Sequence, residues 1–201
     1  MHTSATIKMN GHNICRTTKV IKIDDSKKCF FNCGTLIMSR EQKRIKQYIS
    51  KVTSWKFSFF LMFKLPLAYI ARLKIKQISN KEATVTVPFS FWNKNPFNSI
   101  YFAVLSMAGE MSTGILGLMH VYKTDKKISM LVVKMDSYFY KKATGKIKFI
   151  CKDGDEISNA IKETLQTGEG KVVITNSKGY NKEGLCVSEF NVHWSFKAKN
   201  K

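Results

Sequence analysis

Arginine is nearly absent from a strongly basic chain. Lys and Arg number 34 against 14 Asp and Glu, a formal net charge of +20, yet only Arg16, Arg40, Arg44 and Arg72 are arginine. The lysines are scattered from end to end. A surface that reads bases uses arginine forks and gathers its charge on one element, so no nucleic-acid partner is expected. The charge suits solubility and a general attraction for phosphate-bearing ligands. Proline is scarce as well, at 66, 88 and 96 only, which leaves long stretches free for helix and strand. Five cysteines form no even, close-spaced disulfide framework, which points to a reducing, cytoplasmic compartment. No apolar run follows a basic lead at the N-terminus, so no secretory signal is read. Repeats and low-complexity tracts are also missing, and 201 residues suffice for one domain with a proper core.

What the chain does have is one long apolar stretch. After a lead-in containing Asn95 and Pro96, residues from Tyr101 to Met119 contain no proline and read as one helix, with Asn98 or Ser99 able to cap its first turn. Ile100, Val104, Met107, Met111, Ile115 and Leu118 recur at three- and four-residue spacing and form an apolar face. A second face is small: Ala103, Ser106, Gly114 and Gly117, with Glu110 in its middle. A helix apolar on nearly every side is buried or crosses a membrane. The central carboxylate, the Gly, Ser and Thr content and the flanking strand patterns favour burial. Glu110 must then be paired, protonated or used, because a stranded charge in apolar surroundings is expensive. It is the chemical suspect, and the alternative is a structural acid hydrogen-bonded to Ser106 or a neighbouring strand.

Around this helix the chain falls into three parts. Residues 1–38 read as a poorly ordered extension; Thr18–Ile23 could form a strand, and His12, Cys15, Cys29 and Cys33 only loosely resemble zinc-ligand spacing. In 39–72, Ser39 and Gln42 form a capping-box pattern ahead of a helix with Ile45, Tyr48, Ile49 and Val52 on one face. A second helical piece from Trp55 is crowded with Phe57, Phe59, Phe60 and Phe63 and interrupted at Pro66. It is expected to lie over the core, with a membrane-touching or partner-binding face as the less favoured reading.

Period-two patterns dominate 73–198: strands at 73–76 and 83–87, a near-continuous apolar run at 128–133 expected as a central strand covered on both faces, and a strand at 146–151. A short helix over 157–165 ends at Gly168. A strand at 171–175 is followed by turn chemistry at 176–179, and a last strand alternates at 190–196. The fold class is therefore α+β: an antiparallel sheet of five to six strands wrapped around one long central helix, with N-terminal helices.

This arrangement, over roughly residues 41–198, resembles the hotdog fold of acyl-CoA thioesterases. The likeness is sharpest with the PaaI-like branch and with an uncharacterised hotdog family of thioesterase-like proteins. In the PaaI-like pattern an asparagine precedes the helix carboxylate by fifteen positions, with His-Gly-Gly between them at the helix start. Asn95 and Glu110 match the asparagine and the carboxylate; Tyr101, Phe102 and Ala103 stand where the His-Gly-Gly would be.

The resemblance implies thioester hydrolysis at a pocket between two protomers of a homodimer, on an acyl-CoA or acyl-carrier substrate. No cofactor is implied beyond the CoA that belongs to the substrate. Glu110 would be base or nucleophile, and N–H groups around Phe102 would polarise the carbonyl at the positive end of the helix. Asn95 would orient water or the carboxylate, and Tyr101 would donate where the histidine is missing. The bland alternatives are a turn role for Asn95, packing for Tyr101, core filling for Met107, Met111 and Met119, and a non-catalytic module that binds an apolar ligand.

Overall fold

The computed structural model describes residues 39–199. The stretches 1–38 and 200–201, and with them the strand and zinc readings, lie outside the described residues.

Helix α1 (Arg40–Val52) starts as its capping box dictates: Ser39 Oγ accepts from the Gln42 N–H at 3.1 Å, and Gln42 Oε1 accepts from the Ser39 N–H at 2.9 Å. Helix α2 (Lys56–Lys64) follows, and Pro66 opens the short α3 (Pro66–Ile70) at a position where its missing N–H costs nothing. Strands β1 (Lys74–Ile78) and β2 (Ala83–Val87) form a hairpin around Asn80 and Lys81. The link to the central helix runs through a 3-10 turn at Phe91–Asn93. Asn93 is fully buried, and its Nδ2 donates to the carbonyls of Ala71 and Pro88, both at 2.8 Å.

Helix α4 (Phe102–Val121) is the axis of the fold. By length and composition it could cross a membrane, but here the sheet wraps it. Its start differs from the expected cap: Tyr101 is the N-cap and supplies no side-chain bond. Asn98 sits in a left-handed turn (φ 56°) and Ser99 is held by Asn95, so neither reaches the helix. Strands β3 (Ile128–Phe139), β4 (Ile147–Cys151), β5 (Lys171–Tyr180) and β6 (Cys186–Ala198) complete the chain, with α5 (Gly154–Thr167) between β4 and β5. Gly168, at φ 78°, closes α5 in the left-handed cap expected of it.

Among the described residues six antiparallel strands run in the order β1-β2-β4-β5-β6-β3. The helix touches the sheet because it is locally bare. A Cβ on Gly109 would stand 2.6 Å from Phe190 Cδ2, and one on Gly117 would stand 2.5 Å from Met130 Cε. Polar pins fix the register. Trp194 Nε1 donates to Thr113 Oγ1 at 2.9 Å, and the buried hydroxyls of Ser112 and Ser177 lie 2.6 Å apart.

Two expectations are corrected. The apolar run at 128–133 is not a central strand: among the described residues β3 is an edge, paired only with β6, and Leu131, Val133 and Met135 are exposed. Apolar residues on both faces signal that both faces are to be covered, without saying which chain covers them. The turn expected at 176–179 is strand. β5 continues to Tyr180 because Ser177 and Gly179 face inward, where only small groups fit against Ser112 and Phe149, and the chain reverses at 181–185 instead.

Candidate active site

Glu110 lies two turns into α4, on the wall of a cavity of about 830 Å³. The floor is α4 itself, through Met111, Gly114, Ile115 and Leu118; the roof is α1 and α2, through Tyr48, Val52, Phe57, Phe60 and Leu61; Met130 and Trp194 reach in from the sheet. Arg44 Nη1 donates to the Tyr122 carbonyl at 3.1 Å and so ties α1 to the end of α4. The lining is almost wholly apolar, and among the described residues Glu110 is its one acid. Three exposed cations belong to it: Lys51, Lys56 and Lys123.

The carboxylate flanks Gly114 together with the Trp194 indole: a Cβ on Gly114 would be 3.1 Å from both Glu110 Oε1 and Trp194 Cζ2. Among the described residues no hydrogen-bond donor or cation pairs with it. Ser106, the expected partner, bonds instead to the Phe102 carbonyl at 3.0 Å. Burial therefore pushes the Glu110 carboxyl above the ordinary carboxylate range, with nothing opposing the shift. A group so placed holds or takes a proton more readily than a surface glutamate, as a general base must.

The other sequence-predicted residues gather elsewhere. Asn95, Tyr101 and Phe102 line a second cavity of about 470 Å³ at the N-terminal end of α4, with Phe139, Lys141 and Lys142. The N–H groups of Phe102 and Ala103 have no acceptor among the described residues and lie at the positive end of the helix dipole. Tyr101 and Phe102 are about half exposed, their rings edge to face at 4.8 Å. Asn95 is occupied by its loop: Oδ1 accepts from the N–H groups of Phe97 and Ser99, and Nδ2 donates to Ser99 Oγ. It shapes the entry to α4.

Glu110 stands eight positions after Phe102, about 12 Å along the axis. Within one chain the carboxylate and the free N–H groups open to different cavities.

Sequence reasoning missed the walls of the larger cavity. Trp194 carried a usable signal, as the largest side chain on the inward face of the last strand opposite the small face of the helix. Tyr48, Met130 and Lys123 carried none, because their convergence depends on how α1 and β3 pack against α4.

An antiparallel sheet wrapped around one long helix is the hotdog architecture. The chain belongs to the family DUF4442, a domain of unknown function, whose model matches residues 53–195. No curated protein matches it. Among solved structures it is similar to a Chlorobaculum tepidum protein of unknown function, at 17% identity and a TM-score of 0.64, over 77% of this chain and 96% of that one. It is likewise similar to a Pseudomonas aeruginosa protein of unknown function described as a probable thioesterase, at 16% identity and 0.62, over 73% and 97%. A Haemophilus influenzae thioesterase aligns at 9% identity and 0.54, over 71% and 88%. At these identities the likeness establishes the fold.

Proposed function

We propose that the protein is a thioester hydrolase acting on an acyl-CoA or acyl-carrier thioester. The observation that carries this reading is a solitary carboxylate, held above its ordinary pKa by burial, on the wall of a large apolar cavity. The acyl chain occupies that cavity, a size normal for small-molecule sites. Lys51, Lys56 and Lys123 meet the phosphates of the carrier.

Glu110 takes a proton from water as the water oxygen bonds to the thioester carbonyl carbon. The resulting oxyanion is held by N–H groups at a helix start; its collapse breaks the C–S bond and the thiolate recovers the proton from Glu110. The Phe102 and Ala103 N–H groups that serve one Glu110 come from a second copy of the chain, since those of the same chain lie about 12 Å along the axis. The exposed apolar edge of β3, with its unpaired backbone groups, supports such a homodimer. Tyr101 adds a donor beside those N–H groups, and Asn95 holds the loop that presents them. Chemistry of this kind needs no cofactor of its own and suits the cytoplasm.

The test is a hydrolysis screen over short-, medium- and long-chain acyl-CoAs, reading released thiol. Turnover on at least one chain length is expected. Saturable binding without turnover would instead establish a non-catalytic module for an apolar ligand. The missing His-Gly-Gly favours that second reading.

A further inference from the structure

Helix α2 is apolar on every side between its two lysines: Phe57, Phe59, Phe60, Leu61, Met62 and Phe63 follow one another with only Ser58 among them. A helix of that composition belongs inside a core or in lipid. Leu61 is buried and Phe57 packs against the core, so α2 lies over the core by one face and leaves the other bare. Trp55 is 71% exposed, Phe59 51%, Phe63 75% and Leu67, on α3, 69%. Asn93 bonds the 3-10 turn to the Ala71 carbonyl at the end of α3, and Phe91 and Trp92 on that turn are equally bare. An exposed apolar surface on this scale marks a docking face.

Charge selects the occupant. Between Glu41 and Glu82 the chain carries no acidic residue, while Lys56, Lys64, Arg72, Lys74 and Lys76 lie within or just after α2 and α3. Lys56 sits over the Trp55 ring and Lys94 over the Phe91 ring, so each of these exposed rings carries an ammonium group beside it. A second copy of the same face would bring like charge against like charge. Residues 1–38 carry Lys8, Arg16, Lys19, Lys22, Lys27 and Lys28 against Asp24 and Asp25 alone, and are the wrong sign as well. Tryptophan, phenylalanine and leucine rimmed by lysine suit the boundary between anionic headgroups and acyl chains.

We propose that α2 and α3 dock the protein on an anionic lipid bilayer, with Trp55, Phe59, Phe63 and Leu67 entering the interface and the flanking lysines meeting the headgroups. The opposite side of α2 roofs the large cavity through Phe57, Phe60 and Leu61, so docking sets that cavity beside the lipid. The proposal concerns a surface and stands whether or not the cavity supports hydrolysis.

The test is co-sedimentation of the full chain with phosphatidylcholine vesicles with and without phosphatidylserine. Binding to the anionic vesicles that weakens with salt is expected, with a blue shift of tryptophan emission from Trp55 and Trp92. F59S/F63S, at two exposed positions outside the cavity lining, should lower the partition coefficient about tenfold or more. The single variant F63S should lower it by a smaller factor, and unchanged melting temperatures would show that both variants fold. E110Q should bind as the parent does, which separates this result from any failure of catalysis. Absent sedimentation, or partition unchanged in F59S/F63S, overturns the proposal. So does a free-chain dimer dissolved by F59S/F63S, which assigns the face to a second copy. Trp55 and Trp92 shielded from acrylamide before lipid is added would assign it to residues 1–38, and would overturn the proposal too.

Discussion

Replacing Glu110 by glutamine separates what this side chain does for the fold from what it does for chemistry. The carboxyl is half-buried between Gly114 and Trp194, with no cation or donor beside it among the described residues, and burial raises its pKa. A carboxyl that binds its proton more tightly folded than unfolded costs stability as it ionises. Stability therefore falls as pH rises from the ordinary carboxylate value, about 4, through the raised folded value, and is level beyond it. The amide in E110Q has nearly the same shape and does not ionise. The variant should match the parent at pH 4 and gain on it with rising pH, ending on the order of 1 kcal/mol more stable at pH 8. For a domain of this size that is about 2–4 °C in Tm. Thermal melts of the two proteins across that pH range read the difference directly. A variant less stable than its parent at pH 8, or two parallel pH profiles, would show that the ionised carboxylate has a partner, and the reasoning about its pKa would be wrong.

Three further substitutions probe the scaffold. Gly109→Ala places a methyl against Phe190 and should destabilise by about 1–3 kcal/mol in denaturant melts. Asn93→Ala removes both 2.8 Å bonds to Ala71 and Pro88 and should cost about 1–3 kcal/mol, with faster amide exchange in the Phe91–Asn93 turn. If β3 carries the homodimer proposed above, Leu131→Lys on that exposed strand shifts sedimentation equilibrium toward monomer while leaving monomer secondary structure intact; an unchanged assembly state would remove β3 from that proposal.

The parts of the fold legible in the sequence were those decided locally. Ser39 and Gln42 set the start of α1 by themselves, and the proline-free apolar stretch read as one long helix, with Glu110 at its centre and the strand patterns beside it favouring burial over a membrane span. Alternation placed β1, β2, β4 and β6. Failures came where a distant partner decides. Asn176 to Gly179 reads as a turn until Ser112 and Phe149 stand opposite Ser177 and Gly179. The run at Ile128–Val133 reads as a centre because a strand awaiting cover and a strand already covered have the same composition. The site divides the same way. Glu110 stands out as the single charge in a long apolar helix, and its partnerless state follows from the three-dimensional arrangement of Ser106 and Trp194. The cavity over it needed α1 and α2 in place. Asn95 matched a pattern by spacing, yet its amide is engaged by Phe97 and Ser99 in its own loop.

The most direct test of the account is steady-state hydrolysis by the parent and by E110Q on whichever acyl-CoA the parent turns over best. If Glu110 is the base that activates water, kcat/KM falls by about 10²–10⁴ in the variant, and the parent's rate climbs with pH as the carboxyl ionises. A variant that retains the parent's turnover within about twofold, far short of a lost general base, would contradict the claim.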